Sequence, residues 1–138
     1  MERKIKERLI CWKNRQKDRK PLILNGARQV GKTYLLRELG KEYFENTVYV
    51  NLEINRQARA YFEENLEPEK LLRFLEALAG EKIIPGETLV ILDEIQSCEK
   101  ALTALKYFYE EIPEYHVAAA GSLLGVAINR REYSFPVG

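Results

Sequence analysis

The sequence predicts an α/β domain built on a parallel sheet, and three observations predict it. Short apolar runs of β-type composition alternate with longer stretches of helical periodicity, as in successive βα units. One strand-to-helix junction, from Gly26 to Thr33, is a glycine-bounded turn of a kind parallel sheets use at their carboxyl ends. A later run, Thr88-Leu89-Val90-Ile91-Leu92, is continuously hydrophobic, as a strand covered on both faces must be.

The elements follow in order. Ile5, Leu9 and Trp12 fall at i, i+4 and i+7, so the first residues read as an amphipathic helix with its lysines facing water. Pro21 to Asn25 is the first strand, the turn runs from Gly26 to Gly31, and a helix extends from Lys32 to about Glu42. Thr47 to Leu52 is the second strand. Helices follow over Arg56 to Glu64 and Glu69 to Ala79, the latter entered through Pro68 and closed by Gly80. Pro85-Gly86 is a turn before the strand at Thr88. Lys100 to Glu111 is helical, with Leu102, Leu105, Phe108, Tyr109 and Ile112 on its apolar stripe, and Pro113 ends it. Tyr115 to Ala120 is the fourth strand, its small side chains predicting a crowded central place in the sheet, and Gly121-Ser122 marks its carboxyl end.

A chain of 138 residues, 46% hydrophobic and 31% charged, has the composition of one soluble globular domain with one core. The longest apolar runs, Thr88 to Leu92 and Val117 to Leu124, fall far short of the ~18 residues that cross a bilayer, so no membrane is expected. The charged start leads into no apolar segment or cleavage site, which predicts a cytoplasmic chain. Cys11 and Cys98 lie far apart without CxxC spacing or histidine partners, excluding a disulfide framework and a zinc site. The net charge of +1 conceals an asymmetry, because residues 1–20 hold nine Lys/Arg against three Asp/Glu. That basic segment could steer toward nucleic acid or anionic lipid, or simply be the solvated face of the first helix. Two parts result: a basic helical segment over 1–20 and a core over 21–138.

The chemistry concentrates in Gly26-Ala27-Arg28-Gln29-Val30-Gly31-Lys32-Thr33, which fits G-x-x-x-x-G-K-[ST] at every fixed position between a buried strand and a helix. Such a loop wraps a polyphosphate with backbone N–H groups at a helix N-terminus, whose partial positive charge favours the anion. Lys32 would reach the β- and γ-phosphate oxygens, and the Thr33 hydroxyl would ligate Mg²⁺, which prefers hard oxygen donors. Leu89-Val90-Ile91-Leu92-Asp93-Glu94 supplies the partner, a strand delivering Asp93 to the Mg²⁺ shell at the sheet's carboxyl end. Glu94 is placed to accept a proton from a water attacking the γ-phosphate, a task needing a carboxylate within about 3 Å. Ser122 stands where a hydroxyl could contact the γ-phosphate, or could instead cap a helix beginning near Leu123. His116, the single histidine, lies inside a strand pattern and reads as a core or edge residue, and Tyr107, Phe108 and Tyr109 read as helix packing. Arg130-Arg131 is a solvated basic pair or an arginine finger for a neighbouring subunit's nucleotide.

Taken together, these motifs resemble the prokaryotic AAA-type P-loop ATPases that carry a restriction-endonuclease-like domain at the C-terminus. The resemblance covers almost the whole chain. It rests on Cys11-Trp12-Lys13-Asn14 before Arg19-Lys20-Pro21-Leu22-Ile23-Leu24, on the run from Gly26 to Thr33, and on Asn51-Leu52-Glu53. It continues through Thr88 to Gln96, Ala101 to Phe108, Ala120-Gly121-Ser122-Leu123-Leu124-Gly125 and Ser134-Phe135-Pro136-Val137-Gly138. It implies a three-layer, additional-strand P-loop NTPase core whose strand ending at Ser122 lies between the phosphate-loop strand and the Asp93-Glu94 strand. It also implies Ser122 as a sensor and Gln96 as a relay beside Glu94.

Such cores have five strands in the order 5-1-4-3-2, and only four are legible before Gly138. The chain therefore reads as the N-terminal ATPase part, with the fifth strand missing. A missing fifth strand would bare an apolar edge at Leu22 to Asn25, predicting self-association through it and slow hydrolysis. The predicted function is Mg²⁺-dependent ATP binding and hydrolysis, catalysed by Glu94, Lys32 and Ser122 and switching an absent C-terminal domain. The alternatives are a non-hydrolysing nucleotide-binding scaffold and a nucleic-acid-binding protein using residues 1–20. No lid or acceptor-binding motif of a small-molecule kinase is recognisable, and no N-K-x-D stretch of a GTPase occurs.

Overall fold

A computed structural model of the chain describes residues 2–15, 19–25 and 32–123. Four strands, β1 (Leu22–Asn25), β2 (Asn46–Asn51), β3 (Thr88–Asp93) and β4 (His116–Gly121), form one sheet in the order β1-β4-β3-β2, with every pairing parallel. Around it pack α1 (Glu2–Asn14), α2 (Lys32–Tyr43), α3 (Arg56–Glu64), α4 (Pro68–Ala79) and α5 (Glu99–Glu111). The class is the α/β fold with a parallel sheet that the alternating runs predict. The strand order is also the one the resemblance implies, with β4 between β1 and β3. Arg130-Arg131 and the rest of 124–138, the stretch before the expected but missing fifth strand, lie outside the described residues.

The layers follow from the two-residue period of the strands. Leu22, Leu24, Leu89, Ile91, Ala118 and Ala120 point to one face, where Leu9 and Trp12 of α1 and Leu36 and Leu39 of α2 cover them. Ile23, Val48, Val50, Val90, Leu92, Val117 and Ala119 point to the other, against Phe62 of α3, Leu71 and Leu75 of α4 and Leu102, Leu105 and Phe108 of α5. All six residues of β3 are buried, as its unbroken apolar run predicts. The three alanines of β4 are 0–1% exposed, small because strands flank this one on both sides and helices cover both faces.

Sequence logic also accounts for the helix ends. Pro68 opens α4, where its missing N–H is not needed, and Gly80 closes it in the left-handed region at φ 70°. Asn55 caps α3 by accepting the Ala58 N–H at 2.9 Å. The first helix packs as its apolar spacing indicates, with Leu9 0% and Trp12 6% exposed, and the indole N–H donates to the Lys20 carbonyl at 2.8 Å. Lys6 pairs with Glu42 of α2 at 3.1 Å, so α1 is joined to the core by charge as well as by apolar contact.

Among the described strands β1 stands at the end of the order and pairs with β4 alone. Both of its faces are filled, Leu22 and Leu24 lying in the α1–α2 layer and Ile23 in the opposite one.

Gly40 marks a close contact between α2 and β2. A Cβ there would lie 2.1 Å from Thr47 Oγ1 and 3.2 Å from Thr47 Cβ, and no χ1 rotation moves the latter. Gly→Ala inside a helix ordinarily gains about 1 kcal/mol. Here the clash outweighs that gain, and Gly40→Ala is expected to cost about 1 kcal/mol in urea unfolding. A raised unfolding midpoint would show that α2 can retreat from β2.

Candidate functional site

Parallel pairing aligns the strand ends at one edge of the sheet, and Asn51 of β2 stands opposite Asp93 of β3. Asp93 is 6% exposed, a depth that requires partners for its charge. Its Oδ2 accepts hydrogen bonds from Thr33 Oγ1 at 2.8 Å and from the Tyr49 hydroxyl at 2.5 Å, and its Oδ1 accepts the Glu94 N–H at 2.9 Å. Three elements thereby converge on one carboxylate: the first turn of α2, the middle of β2 and the exit of β3. Burial, then the bond to Asp93, push the Tyr49 hydroxyl up to about 12, so the phenol remains a donor throughout the neutral range. The Arg37 guanidinium lies 3.9 Å from the Tyr49 ring centroid, a cation–π contact that fixes the ring from α2.

Glu94 has φ 51° and ψ 50°, the left-handed region, which costs a non-glycine residue about 1 kcal/mol. It is the single non-glycine residue with positive φ among the described residues. The bend turns the chain out of β3 into a 3-10 turn, Ile95–Ser97, and brings Gln96 back against the sheet. Gln96 Nε2 donates to Glu94 Oε1 at 2.7 Å, and Gln96 Oε1 accepts the Ser122 N–H at 3.2 Å. Next door, the Leu123 N–H donates to Asn25 Oδ1 at 3.0 Å, tying the exit of β4 to the end of β1.

Of the residues singled out from sequence, Thr33 and Asp93 are in direct contact, Glu94 adjoins Asp93, and Ser122 reaches Glu94 through Gln96. Lys32 is the first residue of α2, directly before Thr33. Gly26, Ala27, Arg28, Gln29, Val30 and Gly31 lie outside the described residues. The hydroxyl and carboxylate oxygens of Thr33 and Asp93, 2.8 Å apart, are hard donors that fit one side of a Mg²⁺ shell otherwise filled by water and phosphate oxygens. Among the described residues no group of three or more His, Cys, Asp or Glu could hold a metal ion without such help.

His116 opens β4, at the opposite end of that strand from Gly121, and is 5% exposed between the Trp12 and Phe44 rings. It is a core residue, as its strand setting indicates. Phe108 is 2% exposed and packs in the core, which is the helix-packing role expected of the aromatic cluster. No helix among the described residues is long and apolar enough to cross a membrane.

Tyr49, Asn25 and Gly121 were not marked by sequence reasoning as parts of the site. Asn25 carried a faint signal, a polar residue closing the apolar run Leu22-Ile23-Leu24. Tyr49 carried none, because a tyrosine between Val48 and Val50 reads as ordinary strand composition.

No curated protein matches the chain by sequence. Among solved structures it is similar to "Structure of C. elegans PCH-2", with a TM-score of 0.53 and 14% identity over 97% of this chain. The chain spans 41% of the length of that structure, and at this identity the likeness is one of fold. The family described as AAA domain matches residues 18–135, a span holding the whole sheet, Thr33, Asp93, Glu94 and Ser122, and the chain belongs to that family.

Proposed function

We propose that the chain binds ATP with Mg²⁺ and hydrolyses it, Glu94 activating the attacking water. The observation that carries this reading is the 2.8 Å bond between Thr33 Oγ1 and Asp93 Oδ2. It joins the helix that begins at Lys32, after Gly26-Ala27-Arg28-Gln29-Val30-Gly31 in the sequence, to the carboxyl end of a buried strand, and AAA membership supports a nucleotide-binding, ATPase-like domain. When bound, MgATP supplies the γ-phosphoryl group and a cation that neutralises charge building on its oxygens.

The chain's own residues do the rest. The amides of 26–31 and the start of α2 hold phosphate oxygens, and Lys32 adds a point charge beside them. Thr33 and Asp93 direct oxygens at the cation, with the Tyr49 and Glu94 donors holding the Asp93 carboxylate in one orientation. Glu94 takes the proton of the attacking water, and Ser122, at the exit of the strand between β1 and β3, senses the γ-phosphate. The cycle would switch a C-terminal domain, restriction-endonuclease-like by the resemblance, in a cytoplasmic protein. Leu9 and Trp12 in the core, and Lys6 on Glu42, favour a packing role for α1 over nucleic-acid binding.

Calorimetric titration with ATP and a non-hydrolysable analogue, with and without Mg²⁺, tests the reading. Binding is expected to strengthen with Mg²⁺ and to weaken about tenfold in Lys32→Ala, the loss of one charge-assisted contact. Equal affinity in wild type and variant would remove the phosphate-binding assignment.

A further inference from the structure

We propose that Gln96 is a positioning residue for hydrolysis: its carboxamide ties the Glu94 carboxylate to the backbone of Ser122, so that the exit of β4 sets where the water-activating group points. The inference rests on the ATPase reading above and extends it to a residue between the base and the sensor.

Both polar atoms of the Gln96 side chain are used, and on different elements. Nε2 donates to Glu94 Oε1 at 2.7 Å while Oε1 accepts from the Ser122 backbone at 3.2 Å, so the amide cannot turn over without breaking both bonds. A carboxylate two residues back on its own chain could be reached from many rotamers. The contact across 26 residues to β4 selects one of them. The close approach depends on Gly121, where a Cβ would sit 2.2 Å from Gln96 Oε1 and 3.0 Å from the Ile95 nitrogen. Any residue but glycine there would push the carboxamide off the strand.

The backbone at Glu94 makes this tie consequential. Its φ of 51° projects the side chain from a bend rather than from a strand or helix, so its direction is not set by the regular backbone geometry of β3. A group held for general base work must lie within hydrogen-bond reach of its water, and a misplacement of about 1 Å costs up to a hundredfold in rate. Gln96, bonded to Glu94 Oε1, is thus also bonded to the backbone N–H of the residue proposed to sense the γ-phosphate, and a shift at the end of β4 is transmitted to the base through this side chain.

Gln96→Met keeps length and removes both bonds, whereas Gln96→Glu keeps an acceptor for Ser122 but sets a carboxylate against Glu94. With the whole chain, Gln96→Met is expected to lower kcat for phosphate release about tenfold, Gln96→Glu to lower it further, and both to leave the calorimetric Kd for ATP within about twofold. The side-chain amide proton signals that vanish in Gln96→Met are expected to shift in Glu94→Ala, a readout independent of turnover. A Gln96→Met variant within twofold of an active wild type, or amide signals unmoved by Glu94→Ala, would overturn the proposal and leave the ATPase reading standing. A wild type that binds ATP and never releases phosphate would remove both.

Discussion

Glu94→Gln is expected to lower kcat for ATP hydrolysis between a hundredfold and ten-thousandfold while ATP affinity stays within a few-fold of wild type. That range is what a positioned general base contributes. The substitution is nearly isosteric, and its carbonyl oxygen can still accept the Gln96 Nε2 hydrogen that Glu94 Oε1 accepts at 2.7 Å. Glutamine tolerates the left-handed φ of 51° no worse than glutamate, and the backbone N–H at this position still donates to Asp93. The Thr33–Asp93 bond is untouched, so the groups assigned to the cation and the phosphates remain in place. What disappears is the basic oxygen. Phosphate release measures the first quantity and calorimetric titration the second. Turnover within tenfold of an active wild type would exclude Glu94 as the base, whereas equally negligible release from wild type and variant would favour a nucleotide-binding scaffold.

The parts of the site legible beforehand are those written in contiguous residues. The five residues before Asp93 declare a buried strand by composition, and the parallel sheet then joins Thr33, the last residue of the Gly26–Thr33 run, to Asp93 across 60 residues. The same holds for the fold: Pro68 and Gly80 bound α4 because local backbone chemistry acts there, and the alanines of β4 announce its crowded position. Contacts created by register were not legible. Tyr49 reaches Asp93 because Asn51 pairs with Asp93, which puts Tyr49 two residues earlier on the adjacent strand, and no residue type near Tyr49 reports that pairing. Gly121 reads as a strand end in the sequence and becomes a gap for Gln96 once the 3-10 turn folds back. Ser122 could be a helix cap on spacing alone; the order β1-β4-β3-β2 sets it at the end of a strand flanked by β1 and by the strand that carries Asp93.

Acid should destabilise this domain through a residue remote from that site. His116 Nε2 lies 2.8 Å from the Lys13 carbonyl oxygen, an acceptor, so this nitrogen carries the proton of the neutral ring. Nδ1 is buried without a hydrogen-bond partner, and protonating it would create a buried cation with an unmet N–H. Burial, reinforced by the positive charges of Arg19 and Lys13 and opposed by the Lys13 carbonyl, pushes the ring down to about 4 from its ordinary 6.5. Below 6.5 the unfolded chain takes up a proton that the folded chain refuses until about 4, so this contribution is intact above 6.5 and lost as the pH falls between those values. The full displacement corresponds to roughly 3 kcal/mol, and solvent polarisation near the start of the strand reduces it to about 2 kcal/mol. That is a large share of the ~5–15 kcal/mol that holds a domain of this size together. Carboxylates also begin to titrate near pH 4, so the quantity to follow is the difference between wild type and His116→Leu. The leucine removes the ionisable ring and the bond to Lys13 together, which offsets the variant by a constant amount at neutral pH. Urea unfolding at intervals from pH 7.5 to pH 4 should show that offset shrinking by about 2 kcal/mol as wild type alone pays the proton penalty. An offset unchanged across the range would mean that the ring finds an acceptor for Nδ1–H on protonation, and that the acid sensitivity lies elsewhere.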